Sequence, residues 1–238
     1  GMLFLMIGNG LQGTLLGVRG ALEGFSPVTM AYIMSAYMIG LLIGSKTTPT
    51  LINIVGHVRV YAALASLISA AFIGFAILVN PPGWFILRLI VGFCFAGVYV
   101  VTESWLNDSA SNATRGKAMS AYVIIQTFGI FLSQIFINFG NPDSFILFAF
   151  ISILVSISFA PILLTVGPVP AFKSTKPMPL KKLYDSSPFG TVSILLLGGI
   201  FSLLFGMTAV YGSEKGFSVK EISILVGGIY LSGMVFLY

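Results

Sequence analysis

Eight stretches of this chain stay apolar for long enough to cross a bilayer as helices, and that property limits what the chain can fold into. They lie near residues 2 to 18, 28 to 45, 58 to 79, 84 to 106, 116 to 138, 144 to 166, 189 to 211 and 219 to 238. About 20 apolar residues carry a helix across roughly 30 Å of hydrocarbon, where each backbone amide must find its partner inside the protein. A membrane β-barrel would instead show short segments alternating apolar and polar residues, and the sequence has none. Only 8% of the 238 residues are charged and 57% are hydrophobic, against about 25% charged in an ordinary soluble domain. The expected fold class is therefore an all-α membrane protein. The first span starts at Gly1 without a basic leader, so a removable signal peptide is not expected. The last span runs to Tyr238 with no polar exit, and the chain reads as a piece cut at both ends.

A net charge of +5 would suit a nucleic-acid surface if it formed one patch, but the basic residues are sorted by loop. The 2–3, 4–5 and 6–7 connections hold Lys46, Arg59, Arg115, Lys117, Lys173, Lys176, Lys181 and Lys182. The opposite connections hold Arg19, Lys215 and Lys220. The positive-inside rule then puts the first group and the N-terminus in the cytoplasm. The expected partner is the lipid bilayer, with no nucleic acid. Cys94 has no second cysteine to pair with, and one histidine with one cysteine does not make a metal site. No cofactor and no metal are expected.

Composition changes once along the chain. Residues 167 to 188, GPVPAFKSTKPMPLKKLYDSSP, hold five prolines and four lysines. Pro168, Pro170, Pro177 and Pro179 predict an extended start to this linker, and Leu180, Leu183 and Tyr184 at i, i+3 and i+4 predict a short amphipathic helix on the membrane surface. On either side a phrase recurs: VRGALEGFS at 18 to 26 and VYGSEKGFS at 210 to 218, an offset of 210 − 18 = 192 residues. Each copy follows an odd-numbered span and leads into an even one. A glycine that closes one helix and a serine that caps the next explain part of the wording. Duplication also explains the equivalent positions. The expected division is a six-helix bundle over 1 to 166, a cytoplasmic linker over 167 to 188, and the first two helices of a second, truncated bundle over 189 to 238.

The chain resembles the major facilitator superfamily, and within it the YcaD-like branch of bacterial transporters. LINIVGHVRVYAAL (51 to 64), TESWLNDSASNATRGKAMSAY (102 to 122), the linker start GPVPAF and the later PLKKLY carry the resemblance. It implies two six-helix bundles, about eight of twelve helices being present here, with a cavity lined mainly by the first and fourth helices of each half. It implies alternating access in a bacterial inner membrane, and no particular substrate. The 2–3 loop departs from the family's G-x-x-x-D-R-x-G-R-R: with Gly56 aligned, Asn53 stands at the acid position, Ile54 and His57 stand at arginine positions, and Arg59 comes one place late. Arg88 and Gly92 match R-x-x-x-G, a pattern associated in parts of the superfamily with proton coupling.

On the fourth span Arg88, Gly92, Phe95, Tyr99 and Glu103 fall within a sector of about 80° at 100° per residue. Ionisable groups inside a span usually face the bundle interior or water, so this stripe is the candidate cavity wall. Arg88 also lies close enough to the external interface to snorkel. Glu103, near the cytoplasmic end, can reach Arg115 or Arg59 and form a gate that closes in one state only. Asn9 and Gln12 on the first span, with Tyr122, Gln126, Ser133 and Gln134 on the fifth, serve either as bonds between helices or as substrate contacts. Asn9, Gln12, Arg88, Tyr99 and Gln126 are the candidate substrate-cavity residues. Gly13 with Gly17, and Gly40 with Gly44, have the spacing of close helix packing.

Secondary active transport of a small solute, coupled to an ion gradient with protons as the candidate ion, is the expected function. The alternative is a polytopic receptor or sensor without transport. An enzyme is not expected, because the sequence has no His/Asp constellation and no G-x-S-x-G turn.

Overall fold

The computed structural model describes residues 1–164 and 179–235. The described residues form α1 (Met2–Leu22), α2 (Pro27–Val55), α3 (His57–Ile77), α4 (Pro81–Ser109), α5 (Arg115–Phe136), α6 (Phe145–Ser158), α7 (Ala160–Leu164), α8 (Leu180–Ser186), α9 (Pro188–Glu214) and α10 (Val219–Val235), with a 3-10 turn at Ile137–Phe139 after α5. Among them there is no strand. Six helices are long and apolar enough to cross a membrane: α2, α3, α4, α5 with its 3-10 turn, α6 with α7, and α9. Eight spans are expected from the sequence. The two others are α1, whose 21 residues are diluted by Asn9, Gln12 and Arg19, and α10, which is described over 17 residues.

Local chemistry sets the helix starts. Ser26, Asn80 and Ser187 each precede a proline at the first helical position, where the missing N–H costs nothing. Each also accepts a backbone N–H three residues on, from Thr29 at 3.2 Å, Gly83 at 2.8 Å and Gly190 at 3.3 Å. The connection between the second and third helices differs from expectation. Residues 46 to 55 continue α2 through Pro49, and the turn is the single residue Gly56 at φ 85°, a left-handed conformation that favours glycine. Leu183 and Tyr184 of α8 are exposed. Most of the proline-rich linker, with Pro168, Pro170, Pro177, Lys173 and Lys176, lies outside the described residues.

Helices α1 to α6 pack on one another. α2 packs along α4, α3 against α4 and α6, and α1 against α5 and α6. Gly40 and Gly44 form the α2–α4 seam: a Cβ on either would run into the Leu89 or Phe93 backbone of α4. Leu5, Leu11, Leu15, Phe72, Trp84 and Phe95 are fully buried between these helices. α9 lies on α1 and α2, and α10 lies on α5 and α9.

The repeated phrase builds the same turn twice. Phe25 N–H donates to Gly20 O at 2.9 Å with Gly24 at φ 73°, and Phe217 N–H donates to Gly212 O at 2.9 Å with Gly216 at φ 75°. Ser218 and Glu221 complete a reciprocal capping box, with Ser218 N–H donating to Glu221 Oε2 at 2.8 Å and Glu221 N–H to Ser218 Oγ at 3.3 Å. The offset reaches past the phrase into the packing. Gly17 abuts Ala209, and Gly13 faces the Phe205 carbonyl. Both pairs are 192 residues apart, so α1 and α9 cross at equivalent points, as two copies do about a twofold axis.

Candidate functional site

A cavity of about 260 Å³ lies between α1, α2, α4, α5, α9 and α10. Its wall repeats the 192-residue offset. Gly10 and Ser202, Thr14 and Gly206, Met34 and Val226, and Met38 and Tyr230 all line it, each pair holding equivalent positions in the two copies. The cavity thus sits about the local twofold relation between α1–α2 and α9–α10. A wider groove of about 570 Å³ between α2, α4 and α9 shares Met38, Leu41, Tyr99 and Ser202 with it, so the cavity adjoins a lateral, mostly apolar approach.

From α9 and α10 the cavity wall takes the hydroxyls of Ser202 and Tyr230; its amides and its charge come from α1 and α4. Asn9 is the centre of a network: its Oδ1 accepts from Tyr37 OH at 3.4 Å and Gln12 Nε2 at 3.5 Å, and its Nδ2 donates to Tyr99 OH at 3.2 Å. Tyr99 OH in turn donates to Met6 Sδ at 3.7 Å. These bonds tie Asn9 to three side chains from α1, α2 and α4. One acceptor is left over, because Gln12 Oε1 is buried without a partner.

Arg88 of α4 forms the charged end. It is 5% exposed, its guanidinium carbon stands 4.7 Å from the centre of the Tyr37 ring, and its Nε has no hydrogen-bond partner. The ring face supplies a weak attraction to a desolvated cation. Of the two roles open to Arg88 from sequence, the buried position excludes snorkelling in this conformation. No Asp or Glu is found among the described residues lining the cavity.

The structure divides the predicted stripe on α4. Arg88 and Tyr99 line the cavity, while Gly92 packs against the Tyr37 backbone carbonyl and is a helix seam. Phe95 is buried between the Tyr37 and Tyr99 rings, with centroids at 6.3 and 6.0 Å. Glu103 lies one turn beyond, where Tyr122 OH donates to its carboxylate at 3.4 Å. Arg115 is exposed and donates to Asn107 O at 3.4 Å, and Arg59 is exposed. In this conformation Glu103, Arg115 and Arg59 are not joined; the ion pair formed among the described residues is Arg19 with Glu23, 2.5 Å apart.

Asn9, Gln12, Arg88 and Tyr99 therefore meet at one cavity. Gln126 does not line it; it lies one turn along α5 from both Tyr122 and the cavity-lining Ile130, on the same face of the helix. Gln134 bonds between helices instead: its Oε1 accepts from Thr14 at 2.9 Å and its Nε2 donates to Ser133 Oγ at 2.8 Å. Tyr37 is the site residue that sequence reasoning missed. Its signal was indirect: it lies three residues before Gly40, on the helix whose glycine seam brings it against Gly92. His57, at a position where the family motif has arginine, lies within 3.2 Å of Ser104 Oγ through Nε2 and stacks on Trp105 at 6.1 Å.

Three proteins show what the chain is similar to. An uncharacterized transporter of the major facilitator type, YcaD of Escherichia fergusonii, is 24% identical over 237 residues, which is 99% of this chain and 62% of the relative. A D-xylose-proton symporter superposes with a TM-score of 0.68 at 18% identity, covering 99% of this chain and 64% of that one. The nucleoside transporter NupG gives 0.63 at 19% identity, covering 99% and 66%. The chain thus spans less than two thirds of the length of these curated relatives. The Major Facilitator Superfamily pattern matches residues 1–238 without a gap at either end, in agreement with the helical fold and the paired geometry of α1 and α9, and the chain belongs to that superfamily.

Proposed function

We propose that the chain is the first bundle and the opening of the second bundle of a secondary active transporter that moves a small solute by alternating access. The observation that carries this reading is the position of the cavity. It lies where α1–α2 and α9–α10 face each other across equivalent residues, the interface about which two repeats would rock. Divisions at 1 to 166, 167 to 188 and 189 to 238 belong to the same proposal, as does an N-terminus on the cytoplasmic side. Coupling to an ion gradient, with protons as the candidate, draws support from the symporter among the structural relatives.

The gate belongs to the state in which the cytoplasmic ends close. Tyr122 holds Glu103 here, and approach of Arg115 or Arg59 would replace a neutral donor with a charged one in that state alone. Single cysteines at Met34 and Ser202 of the full-length protein test alternating access, since native Cys94 is buried and contributes little background. Labelling of both positions by a membrane-impermeant reagent from either face, in proportions that a transported solute changes, is expected. Labelling from one face under every condition would favour a receptor with a fixed cavity.

A further inference from the structure

We propose that the cavity selects a small organic monoanion, a carboxylate with a short apolar tail, and that Arg88 is the residue that recognises its charge. This deepens the transporter reading and rests on it for the word substrate, but binding itself does not require transport. Three observations converge.

First, Arg88 is 5% exposed, lines the cavity, stands over the Tyr37 ring, and has a buried Nε without a partner. A buried guanidinium without a counter-charge is costly, and a cation–π contact offsets only part of that cost. A ligand that brings the missing negative charge binds where the protein has already desolvated the positive one. Guanidinium also presents paired N–H donors that match a planar carboxylate.

Second, the described lining carries a single charge, which a monoanion matches. Arg88 is the one charged residue among the described residues lining the cavity. A monoanion brings the site to neutrality, whereas a phosphate, close to dianionic at neutral pH, would leave a net charge in a low-dielectric space.

Third, the rest of the wall sorts the ligand's remaining parts. Met34, Met38, Leu41 and Phe205 offer apolar surface, and methionine adapts to varied shapes. Gln12 Oε1, buried and unpartnered, is an acceptor awaiting a donor, so a hydroxyl on the tail would add affinity. The Asn9 network joins Tyr37, which lies beneath the guanidinium, to Gln12 without consuming Arg88 Nε or Gln12 Oε1.

Thermal unfolding of the purified full-length protein with butyrate, 3-hydroxybutyrate and benzoate tests the assignment, with butyramide, butylammonium and inorganic phosphate as comparison ligands. Carboxylates are expected to raise the melting temperature with saturation, 3-hydroxybutyrate more than butyrate, while the amide and the amine do not. Arg88→Gln is expected to weaken carboxylate binding by roughly tenfold or more, and Arg88→Lys by less. Equal stabilisation by butyramide or butylammonium, a preference for phosphate, no response to any carboxylate, or an unchanged response in Arg88→Gln would each overturn the proposal. If Arg88→Gln does not fold, the wild-type contrast between butyrate and butyramide decides alone. Carboxylate binding without flux into liposomes would leave this assignment standing and sink the transporter reading. Flux of a neutral solute with no carboxylate response would do the reverse.

Discussion

α1 and α9 make the same turn at the same offset, yet their side chains end in different surroundings. Leu5 and Leu11 of α1 are 0% exposed, whereas their counterparts Leu197 and Leu203 of α9 are 48% and 66% exposed. The leucines are the same; α5 and α6 cover the first pair, and no described helix covers the second. Polar residues diverge too. Phe201 and Leu204 occupy the positions of Asn9 and Gln12, and Ile229 of α10 that of Tyr37. Even the turns differ in detail, since the Arg19–Glu23 ion pair corresponds to Lys215 lying 5.8 Å from the Tyr211 ring. Backbone grammar has been kept across the repeat, while the amides at positions 9 and 12 have no polar counterpart at 201 and 204.

The strongest challenge to this comparison is at the seams. Gly40→Leu forces a side chain into the Leu89 and Phe93 backbone, where neither neighbour can yield, and its cost is expected to exceed the about 3 kcal/mol of ordinary overpacking. The full-length variant should fail to run as a monodisperse species on size-exclusion chromatography. In the 238-residue chain Ser232→Leu, the equivalent change at an exposed position of α10, should run normally. Equal failure of both would mean that α10 has a seam of its own.

Leucine truncation sharpens the difference in burial. Leu11→Ala is expected to cost about 2–5 kcal/mol, and Leu203→Ala within about 0.5 kcal/mol in the 238-residue chain, both read by chemical denaturation in detergent. If a second bundle covers α9 in the full-length protein, the cost of Leu203→Ala should rise there toward that of Leu11→Ala. A cost that stays small would confine the repeat to α9 and α10.

Polar asymmetry predicts a middle-sized effect. Asn9→Leu leaves Tyr37 OH and Gln12 Nε2 without their shared acceptor, a loss of about 2 kcal/mol for buried groups. Gln126→Leu, off the cavity, should cost less by the same denaturation measurement. The smallest effect tests what the two copies share. Ser26→Ala and Ser218→Ala are each expected to cost about 1 kcal/mol through the lost cap, with Ser218→Ala the larger because Glu221 also loses its partner.

Much of the fold was legible because its signals are local. Helix lengths follow from apolar runs, starts from Ser-Pro and Asn-Pro, and the turn at Gly24 from the same letters that place Gly216. The reading slipped at the end of α2: the second span was expected to stop near residue 45, with Lys46 in the connection after it, but α2 continues through Pro49 to Val55. Asn9, Gln12, Arg88 and Tyr99 were legible as a set because polar groups in hydrocarbon need a reason to be there. Gln126 satisfied the same rule without reaching the cavity, and Tyr37 reached it without standing out, since an aromatic residue in an apolar run has no distinctive signal.

By itself, then, the sequence determined the class of fold, the offset of the repeat and the residue types available for a site, because hydrophobic length, capping and glycine spacing act within a few residues along the chain. Only the tertiary structure decided that Gly17 meets Ala209, that Gly92 is a seam under Tyr37, and that Arg88 is buried over a ring with no carboxylate among the described residues lining its cavity. Those outcomes depend on which helices cross, and at what height. A helix face carries no record of its partner until close packing admits one neighbour and excludes the others.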